Sequence, residues 1–482
     1  MKRPFCTRGL LVAGVMLVLP CLPVLAASRA ELGNRIRQVV EHGGTAGRVA
    51  GICIVDVRTG DVLFAQRADE LFIIASNAKL VSTAAALALL GPDYKFETTL
   101  WARGRIRGGV LQGDLVIRGG GDPNLSGRFY GSDVLAVIRQ WIYAVRQAGI
   151  TEIEGDVVAD DRAFDRQFVH PEWPPGQLPY WYCAQVAALS FNDNCVDIRI
   201  RARGAPGSPV ELSTSPPTSY VTLINRCAVQ PGASAVSLSR EAETNCIVVS
   251  GTHPPDAGGT VIYATIHNPP LYVAHVVAEQ LVASGIPVRR RPRVVEAHED
   301  IRQGATLVAK TETPMSTAVI VANRRSQNFY SEMILKTLGY EKSGRGSFAS
   351  GIAAAQEFLD TVGLARGTYQ MADGSGLSRS NRFTPAQVAA ILVHMYHHRT
   401  SDIYMSSLVR EANQHPLRGL PARYRDRVFA KTGTLRGVSA LSGYVIGERG
   451  RRMAFSLLCN GAGLGTAHQL QTQVLRELLE FE

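Results

Sequence analysis

The chain has 482 residues, of which 46% are hydrophobic and 19% are charged, and its formal net charge is +10. This balance is that of an ordinary globular protein, and it excludes an intrinsically disordered chain and a collagen-like repeat. At about 100 to 200 residues per domain, the length predicts two to four domains and excludes a single small scaffold.

The first 26 residues resemble a secretory signal peptide. Lys2 and Arg3 precede an apolar run at 9–19, and Val24-Leu25-Ala26 forms a small-residue cleavage site. An apolar run of this length is too short for a helix that crosses about 30 Å of hydrocarbon. We therefore expect residues 1–26 to be removed and the chain to be secreted.

Loss of Lys2, Arg3 and Arg8 with that segment lowers the formal charge from +10 to +7. This modest excess suits an anionic cell surface better than a nucleic acid, so no nucleic-acid partner is predicted. Residues 289–291 with Arg293 are a short basic run, which is typical of a solvated loop but could also contact anionic glycan or lipid headgroups. Peripheral contact with a membrane or with the cell wall is thus an open expectation.

Along the mature chain, residues 49–57 and 62–66 predict a β-hairpin, and an Ala-rich helix at 76–90 ends before Gly91-Pro92. From about 94 to 302, short strand-like runs interrupted by glycine and proline indicate a largely β insertion. Later periodicities predict helices at 315–338, 351–362, 385–397 and 468–479, with strands at 428–431, 438–446 and 453–459.

Six of the eight cysteines remain after removal of the leader, in a compartment that permits disulfides. Cys183 and Cys195 are 12 residues apart and Cys227 and Cys246 are 19 apart, which predicts two local bridges. Cys53 and Cys459 lie in apolar, strand-like runs and are interpreted as buried, inert thiols.

Lysine is scarce, with seven lysines against 44 arginines. Lysine can lose its proton when it is desolvated, whereas arginine stays charged, so each lysine is a candidate for chemistry. Lys79 follows Ser76 by three residues at the start of the Ala-rich helix, which places both side chains on one face. A desolvated lysine there could take the proton of the serine hydroxyl, although a capping serine and a solvated lysine fit the isolated pattern as well.

Two further motifs favour the catalytic interpretation. Ser326-Gln327-Asn328 lies in a predicted helical run, and Lys431-Thr432-Gly433-Thr434 lies on a predicted strand. S-x-x-K, S-x-N and K-T-G in this order are the motif set of β-lactamases and penicillin-binding proteins.

On these motifs the chain resembles the low-molecular-mass class C penicillin-binding proteins, which are D-alanyl-D-alanine carboxypeptidases and endopeptidases. The likeness extends over nearly the whole mature chain and includes the segments at 121–123, 188–194 and 373–379. It implies an α+β fold in which a transpeptidase-like domain, helices on an antiparallel sheet, comprises 28–93 and 303–482. Residues 94–302 would be a mainly β insertion, which could hold two nested domains.

The resemblance also implies roles for the motif residues. Ser76 would attack the carbonyl of the penultimate D-alanine and Lys79 would be its base. Ser326 would pass a proton to the departing amine, and Asn328 would bind the substrate amide. Lys431 would keep Lys79 neutral by repulsion and attract the terminal carboxylate, with Thr432, Gly433 and Thr434 beside it. The backbone N–H groups of Ser76 and Thr434 would form the oxyanion hole.

Two positions depart from the family pattern or extend it. Many members carry an acidic residue that grips the amino group of a diaminopimelate side chain, and counting back from Cys195 places Gln177 there. Arg379 could bind a substrate carboxylate or be a solvated surface arginine.

The predicted activity is therefore that of a secreted serine D,D-peptidase, in the periplasm or at the cell surface of a bacterium. Its partners would be peptidoglycan stem peptides, with β-lactams as inhibitors. A β-lactamase or esterase at the same site, or a degenerate peptidoglycan-binding protein, are the alternatives. No cofactor and no metal is predicted, since the spacing of His394, His397 and His398 lacks an accompanying carboxylate motif.

Overall fold

The structure is a computed structural model that describes residues 22–255, 258–408 and 412–481. Residues 1–21, which hold most of the predicted signal peptide, lie outside the described residues. Over the ranges described, none of the helices combines the length and the apolar character that a membrane crossing requires.

The chain alternates between helical and strand-rich stretches. The helices are α1 (Leu22–His42), α2 (Gly44–Val49), α3 (Ala78–Leu89), α4 (Ala136–Gln147), α5 (Pro269–Ala283), α6 (Met315–Arg324), α7 (Asn328–Ser343), α8 (Phe348–Val362), α9 (Pro385–His397), α10 (Ser401–Ser407) and α11 (Leu464–Leu479). The strands are β1 (Ala50–Asp56), β2 (Val62–Gln66), β3 (Phe72–Ile73), β4 (Lys95–Arg107), β5 (Val110–Gly119), β6 (Glu152–Ile153), β7 (Val157–Asp160), β8 (Cys195–Arg201), β9 (Glu211–Ser215), β10 (Thr222–Val229), β11 (Ala235–Arg240), β12 (Cys246–His253), β13 (Thr260–Thr265), β14 (Arg293–Val294), β15 (Ala305–Pro314), β16 (Arg382–Phe383), β17 (Val428–Leu435), β18 (Val438–Ile446) and β19 (Arg452–Asn460).

A five-stranded antiparallel sheet in the order β17-β18-β19-β1-β2 forms the centre of the peptidase region. Neighbouring side chains of a strand point to opposite faces, and both faces here are apolar. Ala440 and Tyr444 pack with α9 and the other central helices, whereas Leu441 and Val445 pack with α1 and α11. The sheet is therefore covered by helices on both sides, as the predicted α+β fold requires.

Helix α3 lies in the interior of this region. Ala is the best helix former, and its small side chain lets neighbouring helices approach closely. Every residue from Ala78 to Leu87 is buried. Asn323 of α6 donates hydrogen bonds to Thr83 of α3 (3.1 Å) and Ser407 of α10 (2.8 Å), which joins three helices near the middle of α3.

The insertion consists of three sheets with α4 and α5. Its main sheet has the order β14-β7-β5-β4-β15, with β6 beside β5, and two three-stranded sheets have the orders β13-β8-β9 and β10-β12-β11. β15 pairs with β4 along its length, so the main sheet still includes residues 305–314, beyond the predicted boundary at 302/303. The division into domains stays a prediction.

The helical run predicted over 315–338 is interrupted. α6 ends at Arg324, Ser326 adopts a left-handed conformation (φ 54°), and α7 begins at Asn328. A left-handed residue cannot continue an α-helix, so Ser326 lies at a sharp turn between two helices. The prediction that it lies within a helix was wrong.

The two predicted disulfides are absent, because all six cysteines of the described residues are free thiols. β10 and β12 run parallel with Thr222 beside Cys246, which leaves Cys227 five residues further along its strand. At about 3.3 Å per residue, this separates the two Cα atoms by roughly 16 Å, beyond the reach of a disulfide. Cys183 and Cys195 are both buried, and the Cys195 thiol donates to the Asp193 carbonyl oxygen (3.5 Å). Cys53 and Cys459 are buried thiols, as predicted.

Candidate active site

Ser76 and Lys79 come together where the chain enters α3. Ala75 has a left-handed backbone (φ 45°), and a single 3-10 turn over Ala75–Asn77 leads into the helix. The Lys79 Nζ atom lies 3.1 Å from Ser76 Oγ, 2.6 Å from Asn328 Oδ1 and 2.7 Å from the Ser375 carbonyl oxygen. One amine thus contacts the hydroxyl, the S-x-N motif and a distant loop.

The Lys79 side chain is completely buried. Burial penalises its charged form and lowers its pKa to about 7, against the opposing effect of the carboxylates of Glu332 and Asp373. The sequence interpretation attributed a neutral Lys79 to repulsion by Lys431. Desolvation is the largest cause of the lowered pKa, and a contribution from Lys431 stays a prediction.

Lys431 and Ser326 form the second half of the site. The Lys431 Nζ atom donates to Ser326 Oγ (2.7 Å) and to the carbonyl oxygen of Thr432 (2.8 Å). Asn77 Nδ2 donates to the Lys431 carbonyl oxygen (3.0 Å), which ties β17 to the entrance of α3. The turn at Ser326 directs its hydroxyl toward Lys431.

Asn328 is held from two sides. Its Oδ1 accepts from Lys79, and its Nδ2 donates to the Tyr182 carbonyl oxygen (2.8 Å). Tyr182 belongs to a 3-10 turn of the insertion, Trp181–Cys183. The insertion therefore supplies part of the wall beside the S-x-N motif, and nothing in the sequence around Tyr182 indicates that its backbone would be used.

Two buried carboxyl groups shape the loop that contacts Lys79. The sequence interpretation singled out the segment at 373–379 but gave neither carboxyl group a role. Glu332 of α7 accepts from the N–H groups of Gly374 (2.9 Å) and Ser375 (2.8 Å). Asp373 accepts from the N–H groups of Gly376 (2.7 Å) and Ser378 (2.7 Å). Burial, with Asp373 nearby, raises the pKa of Glu332. A run of Asp, Gly and Ser predicts a turn, but it does not reveal which helix supplies its acceptor.

Gly376 is the point at which this loop meets the nucleophile. Its φ is 82°, and a Cβ atom there would lie 1.8 Å from the Ala75 carbonyl oxygen and 3.0 Å from the Ser76 nitrogen. Gly376→Ala should lower the acylation rate of Ser76 about a hundredfold, because the backbone of the nucleophile must move. Stopped-flow measurement of acylation by a chromogenic β-lactam checks this.

Gly363→Ala is the matched control, since Gly363 has a similar φ (87°) and nothing within 4 Å of its added Cβ. It should lose about 1 kcal/mol of stability through backbone strain and keep its acylation rate. Equal acylation rates in the two variants would contradict the role given to Gly376.

The remaining predicted residues lie at different distances from this cluster. Gly433 packs against the turn, because a Cβ there would lie 2.9 Å from the Ser76 nitrogen, while Thr432 is half-buried and Thr434 is exposed on the same strand. Arg379 is exposed and donates to the Arg436 carbonyl oxygen (3.0 Å), in the turn that follows β17. Gln177 is exposed in a 3-10 turn, Pro175–Gln177, and its contact with a substrate side chain stays a prediction.

Other features singled out in the sequence have structural partners. Among the described residues, no group of His, Cys, Asp and Glu has the arrangement of a metal site. His397 contacts the Val57 carbonyl oxygen, and the rings of His394 and His398 stack. Arg289 pairs with Glu152 and Arg293 with Asp156 and Glu299, so half of the basic run is neutralised within the chain.

The chain is similar to known proteins over most of its length. A D-alanyl-D-alanine carboxypeptidase of Actinomadura sp. (strain R39) is 31% identical over 497 aligned positions, which cover 97% of this chain and 90% of that protein. The crystal structure of penicillin binding protein 4 from Haemophilus influenzae has a TM-score of 0.75 at 23% identity and covers 90% of this chain and 96% of that one. A second crystal structure of the Haemophilus protein, complexed with a β-lactam, has a TM-score of 0.71 at 22% identity and covers 94% of this chain and 100% of that one. The model of the D-Ala-D-Ala carboxypeptidase 3 (S13) family matches residues 32–478, and the chain therefore belongs to this family of D-Ala-D-Ala carboxypeptidases.

Proposed function

We propose that the chain cleaves the terminal D-alanyl-D-alanine bond of peptidoglycan stem peptides through an acyl-enzyme at Ser76. The observation that carries this proposal is the buried Lys79 amine, 3.1 Å from the Ser76 hydroxyl. A neutral amine donates two protons and keeps one lone pair. With Asn328 Oδ1 and the Ser375 carbonyl as its two acceptors, the lone pair of Lys79 is left for the Ser76 proton.

Acylation then proceeds by attack of Ser76 Oγ on the carbonyl carbon of the penultimate D-alanine while Lys79 Nζ takes the hydroxyl proton. The negative charge that develops on the carbonyl oxygen would be stabilised by the N–H groups of Ser76 and Thr434. β17 passes beside the start of α3, with Gly433 packed against the Ser76 backbone, which suits this pairing of donors.

Collapse of the tetrahedral intermediate breaks the peptide bond, and the departing amine needs a proton. Ser326 Oγ, hydrogen-bonded to Lys431 Nζ, is suited to pass that proton on. Lys431 and the hydroxyls of Thr432 and Thr434 would bind the terminal carboxylate, with Asn328 on the substrate amide. Water then hydrolyses the ester and returns Ser76 to its free form.

Substrate range and location are parts of the same proposal. Cleavage of a cross-link between two stem peptides uses the same steps with a larger leaving amine, so endopeptidase activity needs no further catalytic group. Gln177 would contact the side chain of the stem peptide without a charge-assisted bond, and Arg379 a substrate carboxylate. The predicted signal peptide and a substrate in the cell wall support an extracytoplasmic location in a bacterium.

Intact-protein mass spectrometry with benzylpenicillin tests the proposal. The wild-type mature chain should gain one penicilloyl adduct, and Ser76→Ala should gain none, because the ester requires the Ser76 oxygen. Ser126→Ala is the control, since the Ser126 side chain caps a turn in the insertion. An adduct on Ser76→Ala, or no adduct on the wild type with the penicillin intact, would contradict the mechanism. Rapid destruction of penicillin without an adduct would indicate a β-lactamase instead.

A further inference from the structure

A cavity of about 530 Å³ lies between the insertion and the loop that carries Ser326. Arg325 and Gln327, the two neighbours of Ser326, line it from the peptidase region. Trp181, Asp197 and Tyr263 line it from the insertion. Its volume is within the range of small-ligand sites, and none of the steps proposed for Ser76 uses it.

Two aromatic rings, those of Trp181 and Tyr263, line this cavity. The Trp181 side chain is 39% exposed and that of Tyr263 is 49% exposed, although both are large rings on a concave surface. Tyr263 of β13 is the direct cross-strand partner of Asp197 of β8, so the ring and the carboxylate share one face of the sheet. An aromatic face beside a hydrogen-bonding group is typical of sites for ligands with one apolar and one polar aspect.

A hydrogen bond connects the lining of the cavity to the loop that carries Ser326. Gln327 Nε2 donates to Asp193 Oδ2 (2.8 Å), and Asp193 also pairs with Arg128. Asn192, Asp193 and Asn194 all have left-handed backbones (φ 50°, 53° and 54°), so the loop that accepts from Gln327 is tightly specified. A ligand in the cavity would therefore lie against the loop that orients Ser326 and Asn328.

We propose that this cavity binds a saccharide unit of the glycan strand to which the stem peptide is attached. A sugar ring has an apolar face of C–H groups, which fits Trp181 and Tyr263, and a rim of hydroxyl and amide groups. Asp197 accepts hydrogen bonds from such a rim, and the exposed guanidinium of Arg325 donates them. A second stem peptide, with its charged termini and side chains, would make less use of the two uncharged rings.

This inference rests on the proposed function, and kinetics on two matched substrates test it. One is a free pentapeptide that ends in D-Ala-D-Ala, and the other is the same pentapeptide on its disaccharide. The wild type should prefer the linked substrate in kcat/KM. Tyr263→Ala should lower that preference about five- to tenfold, and Tyr263→Phe should retain it because the ring remains. Tyr143→Ala, which removes a ring that is 65% exposed on α4, should also retain it.

A wild-type enzyme without any preference for the linked substrate would overturn the inference, as would an unchanged preference in Tyr263→Ala. An unglycosylated cross-linked peptide dimer serves as a third substrate. If Tyr263→Ala lowers the preference for this dimer over the free pentapeptide but not the preference for the disaccharide-linked substrate, the inference is overturned in favour of a peptide occupant. Titration of the wild type with peptide-free glycan oligomers provides a measurement that no variant's folding affects, and saturable binding is expected. Acylation by benzylpenicillin in each protein separates these outcomes from a failure of the proposed function itself.

Discussion

Replacing Lys79 by arginine should lower the rate of Ser76 acylation by about two to four orders of magnitude, the usual contribution of a general base. Arginine is similar in length but stays protonated, so it cannot accept the proton of the Ser76 hydroxyl. The burial that lowers the pKa of lysine to about 7 has no such effect on the protonation of an arginine at this position. Stopped-flow acylation by a chromogenic β-lactam and release of D-alanine from a peptide both measure the loss.

The same assignment fixes the direction of the pH dependence in the wild type. Lys79 accepts a proton only in its neutral form, which predominates above its pKa. The acylation rate should therefore rise as the pH increases through about 7 and reach a plateau above it. Lys342→Arg is the matched control, because Lys342 is an exposed residue paired with Glu357. A rate in Lys79→Arg within a few-fold of wild type would show that another group is the base.

Glu332→Gln should reduce acylation about ten- to a hundredfold, the loss expected when a buried donor is left without its acceptor. The carboxylate oxygens of Glu332 accept from two backbone N–H groups, and an amide offers one oxygen for both. Those N–H groups belong to the loop whose Ser375 carbonyl accepts from Lys79. Glu332 is therefore a positioning residue that acts on Lys79 through residues 374 and 375.

The pH profile separates this role from a general loss of structure. Burial raises the pKa of Glu332, whereas hydrogen bonds from the Gly374 and Ser375 N–H groups favour its ionised form. An ionised Glu332 in turn favours the charged form of Lys79 and raises the pKa of Lys79. Its replacement by glutamine removes that effect, and the rise of the acylation rate should shift to lower pH. Glu341→Gln on the same helix is the control, because Glu341 is exposed and accepts from the Tyr94 hydroxyl. A reduced rate with the rise at the wild-type pH would show that Glu332 does not influence the charge of Lys79.

Several features could be predicted because their signals are local. Ser76 and Lys79 are one helical turn apart, so their contact follows from helix geometry, and α9 begins and ends at the predicted residues 385 and 397. The strands β17, β18 and β19 lie within a few residues of their predicted positions. The family resemblance, the α+β fold and the carboxypeptidase activity were likewise confirmed, since the three motifs and their order are carried by the sequence alone.

Predictions that required the relative position of distant segments were less successful. The register of the parallel strands β10 and β12 keeps the Cys227 and Cys246 thiols apart. The spacing of the two cysteines along the chain does not reveal that register. The turn at Ser326 interrupts a periodicity that predicts one continuous helix, because the tertiary contacts of its hydroxyl favour a left-handed backbone there. Propensity is a weak preference that such contacts override.

The sequence by itself determined which groups are available for catalysis, since the three motifs supply two serine hydroxyls, two lysine amines and an asparagine amide in a known order. Only the tertiary structure decided the charge state of Lys79. Desolvation depends on every segment packed around the amine, including Ser375, which is 296 positions away along the chain. It likewise decided that Glu332 and the Tyr182 backbone take part in the site. The periodicity of a helix identifies a buried position. Which groups the side chain at that position contacts depends on how α7, the insertion and the loop at 373–379 pack together.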